Sequence, residues 1–262
     1  MKIPLADISR FLDNTLEIKN IADYKNALNG LQVENKGSVK KVAVSVDASE
    51  YSIREAIACG AEMLIVHHGL FWPGLSPITG AWYRKLSLCI ENNLAIYSSH
   101  LPLDMHPLYG NNVVMAKDCD MKIVENRGLP FEGNEVGVLC HFDGSLHELA
   151  SRIYETTGME VRLHAAQSEE SNPGTILLCS GGAGDELPQA IAMGVQTFIS
   201  GEGSHWTIPM AAEEGVNLIY AGHYATETFG VKALAALLSE KFGIPSEFID
   251  DAPTPFVLPQ LL

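Results

Sequence analysis

Short apolar runs alternate along the chain with segments whose apolar residues recur at helical spacing. The first half gives KVAVSVD at 41–47, EYSIREAIACG at 50–60, EMLIVHH at 62–68, a helical pattern near 80–92 and NLAIYSSH at 93–100. The second half gives TILLCSG at 175–181, DELPQAIAMG at 185–194, QTFISGEG at 196–203, a helical pattern at about 204–214 and NLIYAGH at 217–223. Strand, helix and strand in alternation predict parallel sheets, twice over. The opening MKIPLADISRFLDN reads as an amphipathic helix rather than a signal peptide.

The two halves resemble each other residue by residue. Laid over one another at a constant offset of 134, Val42–Trp72 and Ile176–Trp206 share seven identities: Ala56/Ala190, Ile57/Ile191, Ala58/Ala192, Gly60/Gly194, Ile65/Ile199, Gly69/Gly203 and Trp72/Trp206. An internal duplication is the natural reading. Beyond it, an offset of 123 lays Ile96-Tyr97 over Ile219-Tyr220, and with them His100 over His223 and Asp104 over Glu227. The polar stretch Asp118–Asn134 is the expected junction. The expectation is therefore an α/β protein of two similar lobes, residues 1–125 with His67, His68 and Asp104, and residues 126–262 with His223 and Glu227.

Composition narrows the partners. With 262 residues, 47% of them hydrophobic, the chain can bury one large core or two modest ones. No apolar run approaches the roughly 20 residues that span a bilayer, so a soluble, cytoplasmic protein without membrane contact is expected. Five cysteines with no C-x-x-C spacing read as reduced core residues. A formal charge of -15 opposes nucleic acid and favours cations.

The chemistry-bearing residues collect at predicted strand ends, where open parallel sheets bind ligands. These are His67-His68, His100 to Asp104 and His223 to Glu227. A histidine four residues before a carboxylate places both groups on one side of a helical turn, a useful metal-ligand spacing. Adjacent histidines on extended backbone diverge, so His67 and His68 could serve two ions, or one ion and a supporting hydrogen bond. Imidazole with carboxylate suits Zn, Fe, Mn or Co, and a carboxylate can bridge two such ions in a hydrolase.

Other residues read more plainly. His141, His147 and His164 are expected at the surface and His106, before Pro107, in a turn. SGGAGDE at 180–186 lacks the lysine of a phosphate loop and is read as a tight strand-to-helix turn. In GEGSHW, Glu202 lies over His68 in the repeat and His205 follows, so both are candidates for supporting a ligand or touching substrate. Phe71, Trp72 and Trp206 are expected to pack the lobes.

Four blocks carry a family resemblance: NGLQVE at 29–34, EAIACGAEMLIVHHGLFW at 55–72, SSHLPLDMHPLYGNN at 98–112 and GHYATE at 222–227. In content and order they resemble the NIF3-like family, also known as GTP cyclohydrolase 1 type 2 homologues, over nearly the whole chain. The resemblance implies a NIF3-like fold of two α/β lobes and two divalent metal ions (Zn, Fe or Mn) on His67, His68, Asp104, His223 and Glu227, with Glu227 bridging. It also implies a ring-shaped homohexamer with the sites facing an inner cavity. His100 matches a family histidine beside the site, and Gly201, Glu202 and His205 match a family pattern. His100, Glu202 and His205 are thus the expected proton-moving residues. The implied function is a metal-dependent hydrolase of a small molecule, a nucleotide such as GTP, opening the ring with formate release. The alternatives are a metal-binding regulatory or protein-interaction hexamer without turnover, and simple metal storage.

Overall fold

The computed structural model describes residues 2–252, an α/β arrangement of two mixed sheets, each with helices on both faces. In the first sheet Val42–Asp47, Met63–His68 and Ala95–Ser98 run parallel, with Val42 opposite Met63 and Met63 opposite Ala95. Gly30–Val33 closes one edge antiparallel, and Ser246–Phe248 closes the other parallel to Val42–Asp47. In the second sheet Ile176–Cys179, Thr197–Ser200 and Asn217–Tyr220 run parallel. Arg162–His164 lies antiparallel on one edge, and Val138–His141 followed by Lys122–Glu125 on the other.

The central strands are apolar throughout because both of their faces are covered. Alternate residues divide between two cores, as a period of two requires. Ala43, Leu64 and Ile96 face Ile53, Ala56 and Cys89 of the helices Glu50–Ala58 and Ala81–Glu91. Val44, Ile65 and Tyr97 face Ile8 and Leu12 of the helix Leu5–Thr15, and Leu234 and Leu238 of Thr228–Phe242. The helix Glu50–Ala58 starts on a capping box, in which Ser49 and Ser52 satisfy each other's backbone N–H groups. All five cysteines are free, four of them buried, and among the described residues no helix is long and apolar enough to cross a membrane.

The duplication is visible in the registers, with one adjustment. Val42 opposite Met63 and Ile176 opposite Thr197 keep the offset of 134. Ala95 opposite Met63 and Asn217 opposite Thr197 then make the third-strand offset 122, one less than the sequence alignment used. His100 therefore lies over Gly222 and Asp104 over Thr226. The two His-x-x-x-carboxylate segments are neighbours in space rather than equivalent positions.

The expected boundary at 125/126 is also corrected. Asp118–Asn134 is no bare junction: Lys122–Glu125 pairs in the second sheet, and Leu129–Phe131 forms a small hairpin with Asn134–Val136. Conversely, the helix Thr228–Phe242 and the strand Ser246–Phe248 return to the first lobe, because their apolar faces complete its core.

Leu238 is fully buried in that first core. Leu238→Ala is expected to lower the unfolding free energy by about 2–5 kcal/mol in urea denaturation. A loss below about 0.5 kcal/mol, usual for an exposed position, would show that the returning helix is not part of the core.

Candidate metal centre

The carboxyl ends of the parallel strands of both lobes border one cavity of about 800 Å³. Five of the eight residues singled out in the sequence line its floor, His68, His100, Asp104, His223 and Glu227, and a sixth, His67, is fully buried against Asp104 and Glu227. His67 and His68 end the strand Met63–His68, His100 follows Ala95–Ser98, and Asp104 ends the short helix Leu101–Asp104. From the second lobe, His223 opens the helix His223–Thr226, and Glu227 follows it at the start of Thr228–Phe242.

Two buried carboxylates lie among the imidazoles. His67 Nε2 is 3.4 Å from Asp104 Oδ2 and 3.5 Å from Glu227 Oε1. The other Glu227 oxygen is 3.5 Å from His68 Nε2, while Oε1 is 3.1 Å from His223 Nε2. One ring nitrogen each from His67, His68 and His100 lies within 4.8 Å of the others, as do one ring nitrogen each from His68 and His223 and a carboxylate oxygen of Glu227. His100 therefore stands beside His67 and His68, with a ring nitrogen within reach of both.

All four histidines are held from behind by Nδ1. His67 donates to the Ser99 carbonyl at 3.0 Å, His68 to Asp47 at 2.9 Å, His100 to Asp23 at 2.8 Å and His223 to Glu202 at 2.9 Å. A proton fixed on Nδ1 leaves the Nε2 lone pair of the neutral ring free, the tautomer a metal-ligating histidine needs. Asp104 is held in the same manner, its Oδ1 accepting from Asn111 Nδ2 at 2.8 Å and from Ser180 Oγ at 3.2 Å.

His67 Nε2 and Glu227 Oε2 are buried and without hydrogen-bond partners. Leaving such atoms unpaired costs about 1–3 kcal/mol each. Two ligand atoms on a tetrahedral ion at roughly 2.1 Å stand roughly 3.4 Å apart, close to the His67 and His68 separations above. The donor set, imidazole nitrogen and carboxylate oxygen without thiolate, fits a divalent transition metal.

The electrostatics of the metal-free site are those of charged histidines on carboxylates. Burial disfavours a charge on His67, but Asp104 and Glu227 outweigh it and hold its pKa well above 6.5. At His223 burial is likewise overcome, by Glu227 and Glu202, and the pKa rises to about 9. Burial would raise Glu227, yet His67, His223 and His68 hold it far below the ordinary carboxylate range.

The remaining expectations divide. Glu202 is mostly exposed and meets the site through His223 alone. His205 is exposed and does not line the cavity, because Ser204 is drawn to Asp185 and the chain turns away into Thr207–Glu214. Trp72 is not lobe packing, since it faces the cavity against His68 and His100. The glycine turn at 180–186 belongs to the site: a Cβ on Gly181, at φ 69°, would stand 2.3 Å from Glu227 Oε1. Sequence reasoning missed Asp47, Asp23, Asn111 and Ser180. Asp47 was within reach, because it pairs with His68 across parallel strands. Asp23 sits in a loop and carries no periodic signal.

Comparison with known proteins shows the family. A protein of Deinococcus radiodurans, called GTP cyclohydrolase 1 type 2 homolog, is 36% identical over 246 residues, covering 93% of this chain and 92% of its own. Its namesake in Archaeoglobus fulgidus is 39% identical over 248 residues, covering 94% and 97%. The crystal structure of TTHA1606 from Thermus thermophilus superimposes with a TM-score of 0.83 at 37% identity, over 96% of this chain and 99% of that one. The family described as Duf34/NIF3 (NGG1p interacting factor 3) matches residues 3–255, and the chain belongs to that family.

Proposed function

We propose that the protein is a hydrolase holding two divalent ions, Zn, Fe or Mn, on His67, His68, Asp104, His223 and Glu227, with Glu227 as the bridge. The observation that carries the reading is the convergence of four histidines, each held through Nδ1, on two buried carboxylates at the floor of a cavity shared by both lobes. Bound there, the ions would supply an acidified water and polarise the bond to be broken. The chain does the rest. Asn111 and Ser180 fix the Asp104 carboxylate, Glu202 fixes the His223 ring, and Asp23 holds His100 so that its second nitrogen can take or give a proton at the cavity floor. The proton role falls to His100 because His205 lies outside the cavity.

The relatives' name makes GTP the first substrate to test. Water would add at C8 of the guanine ring and break one C8–N bond, leaving a formamide on the other nitrogen, and a second water would break that bond to release formate. The proposal includes a hexameric ring and a cytoplasmic location. The family's description as an interacting factor favours a second reading, in which a metal-loaded hexamer presents surfaces to other proteins without turnover.

Elemental analysis of protein purified without added metal is expected to give about two ions per chain, reduced in Asp104→Ala and Glu227→Ala. Less than half an ion per chain, unchanged after reconstitution, would remove the metal reading. Asp104→Ala is expected to abolish turnover while the fold persists by circular dichroism. Loss of a protein partner from that variant, with wild-type GTP turnover absent throughout, would favour the second reading.

Metal loading should also move protons. The raised pKa values mean that metal-free His67 and His223 are charged at pH 7, and ligation needs them neutral. The stabilisation from charged His223 is full below pH 6.5 and fades as pH rises through about 9, whereas metal affinity weakens as pH falls below about 9. Calorimetric titration with Zn or Mn at pH 7.5 is expected to give heats that change with buffer ionisation enthalpy in the direction of proton release. Equal heats in all buffers would contradict protonated histidines.

A further inference from the structure

The cavity wall rising from the histidines is aromatic. The Trp72 ring centroid is 4.6 Å from that of His100 and 5.4 Å from that of His68. Tyr24 follows at 5.9 Å from Trp72, and Phe131, contributed by the hairpin of the second lobe, at 4.8 Å from Tyr24. These rings are not sealed into a core: Tyr24 is 53% exposed and Trp72 38%. Large rings left open in a concave site beside convergent polar groups mark a ligand surface, and exposed aromatic faces select planar rings that can stack on them.

Charge selects further. Above the floor the cavity is lined by Asp47, Glu186 and Asp251, while Lys85 is the one lysine or arginine that lines it among the described residues. The Lys85 ammonium already donates to the Ala48 carbonyl at 2.7 Å. Tyr24 feels this surplus: burial first, then the negative charge of Glu186, push its phenol pKa up, so the Glu186 field falls on the aromatic wall. A carboxylate beside a stacking surface accepts from ring N–H donors and repels phosphate.

We propose that Tyr24, Trp72 and Phe131 seat a planar nitrogen heteroaromatic ring, neutral or cationic, whose N–H donors face Glu186. The proposal rests on the hydrolase reading only for what happens to the ring afterwards, and it makes the ring rather than a phosphate chain the part that the cavity selects.

The test is calorimetric titration of the metal-loaded protein, dialysed free of excess metal, with guanosine, GTP and ribose 5-phosphate. Guanosine is expected to bind more tightly than either phosphate. Tyr24→Ala is expected to weaken guanosine at least about ten-fold, with Tyr24→Phe retaining it, which separates stacking from misfolding. Glu186→Gln is expected to narrow the gap between guanosine and GTP. Ribose 5-phosphate binding as tightly as guanosine, or guanosine binding unmoved by Tyr24→Ala, would overturn the ring site. GTP binding more tightly than guanosine would overturn the neutral or cationic assignment. Tyr24-dependent guanosine binding without turnover would sink the hydrolase reading and leave this one standing. Turnover of a ring-free substrate without guanosine binding would do the reverse.

Discussion

The structure turns on one buried carboxylate. Glu227 is 3% exposed, faces His67, His68 and His223, and stands where a helix of the second lobe gives way to one that packs into the first. A charge buried so deeply is tolerable only among partners of opposite charge or on a metal ion. That requirement explains several features at once. Position 181 must be glycine because a side chain there would displace the carboxylate. The histidines must come from two lobes because no single strand end could surround it, and the lobes are thereby locked together at their strand ends.

A second constraint is orientation. Imidazoles that only surrounded Glu227 could rotate, but each is tied on its far nitrogen to an acceptor from a different element: a backbone carbonyl, a strand end, an N-terminal loop and the turn after Thr197–Ser200. The four nitrogens that face inward are therefore arranged before any ligand arrives, and binding need not order them. The loop from Asp23 to Asn29 shows how far this reaches. Asp23 holds the His100 ring and the Leu101 N–H, Asn29 accepts from the His100 N–H, and Tyr24 between them forms part of the aromatic wall.

Much of this was legible in the sequence, for identifiable reasons. Apolar runs such as VAVSV and MLIV announce strands because parallel strands are buried on both faces, and the candidate ligands stand out because they break those runs at their ends. The third-strand register was not legible: the loops before Ala95 and Asn217 differ in length, and only pairing fixes the count at 122. Trp72 was misread because an aromatic beside a strand end looks the same in sequence whether it fills a core or faces a cavity. The C-terminal strand is three residues, SEF, too short to carry a pattern, and so the return of the chain to its first lobe went unseen. The acceptors behind the histidines lie mostly in loops, where hydrogen bonding leaves no period to read.

That return has a consequence for how the molecule is made. The second sheet draws its strands from one continuous stretch, residues 122–220, whereas the first waits for residues 231–248 to supply an edge strand and five of the 17 buried residues of one core. On a ribosome the lobe that begins first therefore finishes last. Until synthesis passes residue 248, the nascent first sheet holds an open edge at Val42–Asp47 and an uncovered apolar face, the features that recruit chaperones or invite aggregation.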